Sequence, residues 1–567
     1  MWILPPTFQV IKWIERKIQL EQTGSGIKAN GSVPQAKADF IALLVIVWWT
    51  CIKQQQGLLQ DDTIPPLTKP DKTTAITSEE KAQVLATHFA SKMSVPDLDL
   101  IPPSVPLYTK ATLKTISIKV DEVKKILRHL DTNKAMGGVQ ISPRLLKGCA
   151  DQLAEPLCRH FDGHRLLNEK QFGFRAERSA SDLLLVQSSS WSQALDDGQD
   201  TYVIAPDIAG AYDRVWHRGI ISKLMSFGIS EELLDLLQNY LHGRSLSLEV
   251  NGHSSTECPI RASVPQGSVL GPLLWNVFFN YILQLIPEAS AYADDCTMSF
   301  MSKRDDHQRT IARINQTLQS LVAWSRRWQV TLAPEKTQAM LISRRRDLAP
   351  LPAPNILLDR KRLSLQDSIK TLGVEFDSGL TYTRHVQQVA KTAAWKLGCI
   401  RRISHLLDGP GVAALYKSQV RSLMEYSPLV WSACPPSYLL LLDQVQRRAE
   451  AIIRYKTREP LDVTLQPMQH RRNVGGLCVM YKINAVQTPH LSSLRLPAPQ
   501  DSSYDTRGGR ERQEQVRVPF VRTENHLRSY LPRYGRLWDH MVRNTSLHHA
   551  TSLQQFKNRV NTWLLNQ

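Results

Sequence analysis

Two adjacent carboxylates stand in Tyr292-Ala293-Asp294-Asp295, inside a β-prone run, Ser290–Phe300. Neighbouring acids at a tight turn repel each other, and a bound cation removes that cost. A solvated hairpin turn, where Asp is also common, would explain the pair taken alone. Another acid narrows the choice, since Asp207 lies 87 positions before Asp294 in Tyr202–His217, YVIAPDIAGAYDRVWH. A β-rich run, Thr201–Ala205, ends just before Pro206-Asp207. Ile208, Ala211, Tyr212 and Val215 then follow at i, i+3, i+4 and i+7, the spacing of one helix face. This predicts Asp207 at a strand-to-helix junction, where a plain helix N-cap is the alternative reading. Together the segments call for an α+β sheet. Carboxylates from separate strands are what two divalent cations about 4 Å apart would need.

Between the acidic segments lies Val264–Pro272, VPQGSVLGP, ahead of an apolar helix marked by Leu273, Leu274, Val277, Phe278 and Ile282. Two Gly and two Pro shape a loop at a helix entrance, where backbone N–H groups favour an anion. It is not a Walker loop, because no Gly-Lys-Ser/Thr follows; a simple connection is the bland alternative.

The 567 residues predict two or three domains. Lys and Arg number 70 against 52 Asp and Glu, a net charge of +18 that favours a polyanionic partner. Arg401–Gln567 holds 24 of these bases against 12 acids. The eight cysteines are scattered singly, so neither a zinc ribbon nor a disulfide framework is expected. The apolar run Phe40–Ile52 is shorter than the roughly 20 residues that span a bilayer, and no membrane anchor is expected. Helices are predicted over Ser78–Met93, Val120–Leu130, Pro143–Phe161, Asp182–Leu195, Val412–Tyr426 and Ser437–Tyr455, with a polar loop over Asp501–Val518.

In this order the segments resemble the palm motifs of reverse transcriptases, those of retrotransposons without long terminal repeats (LINE-like and jockey-like) above all. Gln171–Ser181 (QFGFRAERSAS) resembles the block that precedes the first palm Asp. Asp207–Asp213, Val264–Pro272 and Tyr292–Asp295 resemble motifs A, B and C, and Trp328–Leu341 and Ile369–Phe376 resemble motifs D and E. The resemblance implies a right-hand polymerase of α+β class with a mostly helical thumb and C-terminal region. After an unrelated leader (1–75), the expected divisions are a helical N-terminal extension or partial fingers (76–161), palm (162–380), helical thumb (381–500) and a basic C-terminal region (501–567).

By the same resemblance Asp207, Asp294 and Asp295 would hold two Mg²⁺ ions, Mn²⁺ being a possible substitute. Tyr212 would exclude ribose by steric clash, Gln266 and Gly267 would contact nucleotide or template, Lys336 would serve the leaving pyrophosphate, and Gly373 would form the primer-gripping hairpin. Asp213 is read as structural. The implied partners are an RNA template, a DNA primer and deoxynucleoside triphosphates, in the nucleus or cytoplasm. The pattern departs from the family at Pro206 (usually Leu), at Ser263 (usually Gly) and at Gly137–Gln140. Several tens of fingers residues are missing between Phe161 and Leu166. That gap raises an alternative, a catalytically inactive nucleic-acid-binding remnant. No endonuclease or ribonuclease H domain and no Cys/His knuckle is recognised. In Arg522–Trp538, Arg and aromatic residues alternate as they would against nucleic acid; a solvated helix with an apolar face fits equally.

Overall fold

The computed structural model describes residues 64–114, 156–303, 305–344, 354–457, 465–498 and 514–567. The chain divides into two units, 1–67 and 68–567, and the elements below belong to the second. The run at 40–52, the helix expected over 120–130, most of that over 143–161 and the departure at 137–140 lie outside the described residues. Among the described residues no helix is long and apolar enough to cross a membrane.

Helix α1 (Ser78–Lys92) begins with a capping box in which Thr77 and Glu80 satisfy each other's backbone N–H. Helix α2 (Ala180–Asp196) repeats the device with Ser179 and Asp182. The central sheet contains β1 (Asp200–Ala205), β2 (Ala289–Tyr292), β3 (Asp295–Ser302), β4 (Gln338–Ile342) and β5 (Leu365–Gln366) in the order β5-β4-β1-β3-β2. All pairs are antiparallel except β4–β5. Tyr202, Ile204, Met298 and Phe300 face one side and join the main core with α5 (Leu270–Leu285) and α6 (His307–Arg327). Helices α3 (His217–Ser226) and α4 (Glu231–Leu241) extend that core. The opposite face lies under α2, whose Trp191 Nε1 donates to Ser299 Oγ at 2.9 Å and whose Gln187 donates to Ser290 Oγ at 2.9 Å. The two-residue period of a strand thus appears directly in which helix each residue meets.

After the sheet, β6 (Ser368–Thr371) and β7 (Val374–Asp377) form a hairpin, and α7 (Thr383–Ile403) packs on α8 (Pro436–Tyr455). The helix expected over 412–426 is instead divided. It runs as α-helix over Gly409–Leu415, as a π-turn over Tyr416–Arg421 and as a short α-turn over Ser422–Met424. Helix α9 (Met468–Asn484) packs against α10 (Tyr530–Asn544) and α11 (Leu553–Leu565). In this group Tyr530, Tyr534 and Trp538 are buried, with Tyr534 Oη donating to Arg472 O at 3.2 Å and Trp538 Nε1 to Glu514 O at 3.0 Å. Those rings are interior packing and cannot serve as exposed stacking platforms. Just before α10 the chain returns to the end of α2, where Arg522 N donates to Asp196 at 3.0 Å and Thr523 Oγ1 at 2.6 Å.

At the expected fingers gap the described chain closes tightly. Residues 156–163 are helical, Leu166 N donates to Phe161 O at 2.8 Å, and Arg165 takes φ +50° to complete the turn. Leu157, Phe161, Leu166 and Leu167 are all buried in the main core.

Candidate active site

Strand β1 stops at Ala205 because Pro206 has no N–H for the ladder. The backbone of Asp207 is then held by the segment before β4: Ala333 N donates to Asp207 O at 2.9 Å and Asp207 N to Thr337 Oγ1 at 3.2 Å. Ala209 N likewise donates to Thr331 O at 2.9 Å, and Gly210 takes φ +63°. The helix expected directly after Asp207 is therefore absent. The chain passes through a 3-10 turn, Tyr212–Arg214, before α3 begins at His217. Ile208, Ala211 and Val215 are nevertheless buried, so their spacing reported burial rather than a helix. Asp207 is not an N-cap.

Asp294 lies in the two-residue turn of the β2–β3 hairpin, closed by the pair Tyr292 and Asp295, with Ala293 at φ +60°. Ile204 pairs with Met298. That is the last pair of the β1–β3 ladder, so Asp207 and Asp295 lie beyond the same end of it. Burial raises the Asp294 carboxyl above its ordinary range, and the charge of Asp207 adds to the effect. Asp295 is raised by burial, by Asp294 and by Asp207. No cation among the described residues contributes to offsetting either shift. Asp207 acts electrostatically on Asp294 and Asp295 from a separate chain segment, and carboxylates coupled in this way suit a divalent cation. Tyr212 borders the same place: burial and then Asp294 raise its phenol, its ring centroid is 5.3 Å from that of Trp275, and its buried hydroxyl has no hydrogen-bond partner.

The other expected residues are more dispersed. Gln266 is exposed and donates from Nε2 to Asp213 Oδ1 at 2.6 Å, which ties the Val264–Pro272 loop to the segment after Asp207. Gly267 takes φ +77° in open space. Lys336 is exposed, next to the Thr337 that holds Asp207. Gly373 (φ +82°) and Leu372 (φ +46°) make the two-residue turn of the β6–β7 hairpin, and Tyr426 Oη donates to Leu372 O at 2.8 Å. The Tyr426 phenol is raised chiefly by burial.

Ser263 occupies φ +99°, a conformation that glycine adopts freely and serine does not. Its N–H donates to Val215 O at 2.9 Å and its carbonyl meets His217 Nε2 at 2.8 Å, so the backbone is held in place from both sides. Ser263→Gly is expected to raise stability by about 1 kcal/mol. Urea unfolding of both forms checks this, and a lower midpoint for the glycine variant would refute the strain.

Three buried amides escaped the sequence reading: Gln171, Asn276 and Asn280, each exposed by no more than 2%. Asn276 and Asn280 stand four apart in an otherwise apolar helix, and that pair of polar residues on one buried face was the available signal. Asn276 Nδ2 donates to Gly173 O at 2.9 Å; Asn280 accepts from Asn168 N at 2.6 Å and donates to Leu166 O at 3.2 Å.

A sheet that carries acids on a central strand end and on the adjoining hairpin, followed by a glycine-turned hairpin and a helical bundle, defines the palm and thumb of a right-hand polymerase. Residues 137–376 match the family of reverse transcriptases (RNA-dependent DNA polymerases). The chain resembles curated RNA-directed DNA polymerases of transposons and mobile elements. It is 28% identical over 297 residues to a probable RNA-directed DNA polymerase from transposon BS of Drosophila melanogaster, covering 50% of this chain and 32% of that one. It is 26% identical over 281 residues to the RNA-directed DNA polymerase from mobile element jockey of the same species, covering 47% and 30%. The chain thus spans about a third of the length of these curated relatives. Among solved structures, Candida albicans telomerase with a fragment of telomeric RNA aligns at 11% identity and a TM-score of 0.33, over 59% of this chain and 61% of that one, a likeness too slight to carry weight.

Proposed function

We propose that the chain is an RNA-directed DNA polymerase that extends a DNA primer on an RNA template. The observation that carries this reading is that Asp294 and Asp295, in the turn of the β2–β3 hairpin, are coupled electrostatically to Asp207 at the end of β1. We assign those three side chains to two divalent cations, Mg²⁺ in the first instance. Bound there, the ions would supply the charge neutralisation on which phosphoryl transfer chiefly depends. The residues' own work is positioning. Thr337 and Ala333 fix the backbone of Asp207, and the Asp213–Gln266 hydrogen bond holds the motif B loop beside it. Lys336, next to Thr337, is assigned to the leaving pyrophosphate. Gly373, at the tip of a hairpin fastened by Tyr426, is assigned to the primer end.

The Tyr212 ring, packed against Trp275, is assigned to sugar selection. Primer extension by the purified full chain, with RNA template, Mg²⁺ and either deoxy- or ribonucleotides, tests the reading. Tyr212→Ala is expected to raise ribonucleotide incorporation. Tyr212→Phe should keep discrimination, because the buried hydroxyl makes no hydrogen bond to lose. Equal discrimination in wild type and the alanine variant would remove Tyr212 from that role, and absence of any templated extension would count against the polymerase reading itself.

A further inference from the structure

The QFG segment ahead of the palm behaves as an additional edge of the sheet. Phe172 N donates to Ala291 O at 2.8 Å and Ala291 N to Lys170 O at 2.9 Å, an isolated parallel bridge beside β2. That bridge puts the Gln171 side chain, 2% exposed, against the acidic turn. Its Oε1 accepts from Ala293 N at 2.9 Å and from Gly173 N at 2.9 Å, while its Nε2 donates to Ala293 O at 3.0 Å. One amide therefore satisfies both backbone groups of the residue that precedes Asp294. Ala293 is held at φ +60°, which costs an alanine energy and persists only when its surroundings enforce it.

The support continues outward. A Cβ built on Gly173 would lie 2.2 Å from Ala293 N, so the two backbones touch. Asn276 on α5 fixes the Gly173 carbonyl, and Asn280, one turn on, holds the start of the same segment. Arg175 and Arg178 also turn inward onto it, donating to Asn168 O at 3.1 Å and Gln171 O at 3.2 Å.

We infer that Gln171 is a positioning residue for the catalytic turn: by clamping Ala293 in its left-handed conformation it sets where the Asp294 carboxylate stands relative to Asp207, with α5 as the anchor. This inference rests on the polymerase reading above. A glutamine amide suits the task, since it offers one acceptor and one donor in a single plane to a peptide that needs both. Outer contacts of this kind typically change metal affinity by about 10- to 100-fold when removed.

The test is Mn²⁺ binding to the full chain, read from the free-ion electron paramagnetic resonance signal, alongside thermal melting and steady-state extension. Gln171→Leu removes both hydrogen-bonding functions, and Gly173→Ala pushes on Ala293 while leaving Gln171 in place. Each is expected to weaken Mn²⁺ binding by roughly tenfold or more and to lower kcat with little change in the KM for nucleotide. Gln171→Glu keeps the acceptor and loses the donor, and should fall between wild type and Gln171→Leu. If a variant does not fold, the remaining two carry the comparison. Asp294→Asn serves as the reference, expected to abolish this binding. Wild-type affinity in folded Gln171→Leu and Gly173→Ala, with Asp294→Asn deficient, overturns the positioning role alone. Mn²⁺ binding unaffected by Asp294→Asn overturns the polymerase reading and the inference with it.

Discussion

Asp294→Asn is expected to lower primer extension by about 1,000-fold, because stabilising transition-state charge at a metal site is worth several kcal/mol and each 1.4 kcal/mol is a factor of ten. The same change should make the metal-free protein more resistant to heat. Asp294 and Asp295 are both driven upward by burial and by neighbouring carboxylates, so the site strains the fold that carries it. Replacing one acid by its neutral isostere relieves that repulsion. Melting curves with chelator and with Mg²⁺ separate the two effects. The wild type should gain stability from Mg²⁺ by mass action, and the variant should start higher and gain little. A variant that melts lower than wild type in chelator would show that Asp294 is instead a structural acid.

The second large effect lies far from the site, at two consecutive glycines in α9. A Cβ on Gly475 meets nothing within 4 Å, whereas on Gly476 it would lie 2.2 Å from Cε1 of the fully buried Tyr534. Replacing a helical glycine by alanine is worth up to about 1 kcal/mol, so Gly475→Ala should stabilise. At Gly476 the same gain meets overpacking of about 1–3 kcal/mol, and the steric term is expected to win because Tyr534 is tied to Arg472 O and cannot swing away. Denaturant unfolding of the two variants should move the midpoint in opposite directions. A stabilised Gly476→Ala would mean that α9 and α10 can part at little cost.

Some of this was legible in the chain and some was not. The β2–β3 hairpin could be read because two acids interrupted a β-prone run, and α2 was expected over Asp182–Leu195, although its capping Ser179 was not. The stretch after Asp207 misled because a spacing of three and four marks any buried face. Gly210 and the pairing of Asp207 with residues 333 and 337, distant in sequence, decided against a helix. The departure at Ser263 was visible as an unusual residue, but its meaning needed the φ of +99°. Gln171 could be read as the start of a motif, but not as the clamp on Ala293. Its value comes from a peptide more than a hundred positions away, and a single glutamine carries no sign of what it will face. The same holds for Tyr530, Tyr534 and Trp538, whose alternation with arginine suited nucleic acid until the burial of the rings assigned them to the interior.

The return of the chain to Asp196 bears on the order in which this protein can be made. Helix α2 ends on a carboxylate whose partners, Arg522 and Thr523, lie 326 and 327 residues later. On the ribosome, at about 5–20 residues per second, that leaves the carboxylate waiting tens of seconds for its hydrogen bonds. During that interval α2 is held by its packing on the sheet, with the surface destined for α10 open to water or to chaperones. Contacts of such long sequence separation form late and slowly, and the seating of the C-terminal helices is expected to follow the closing of the sheet.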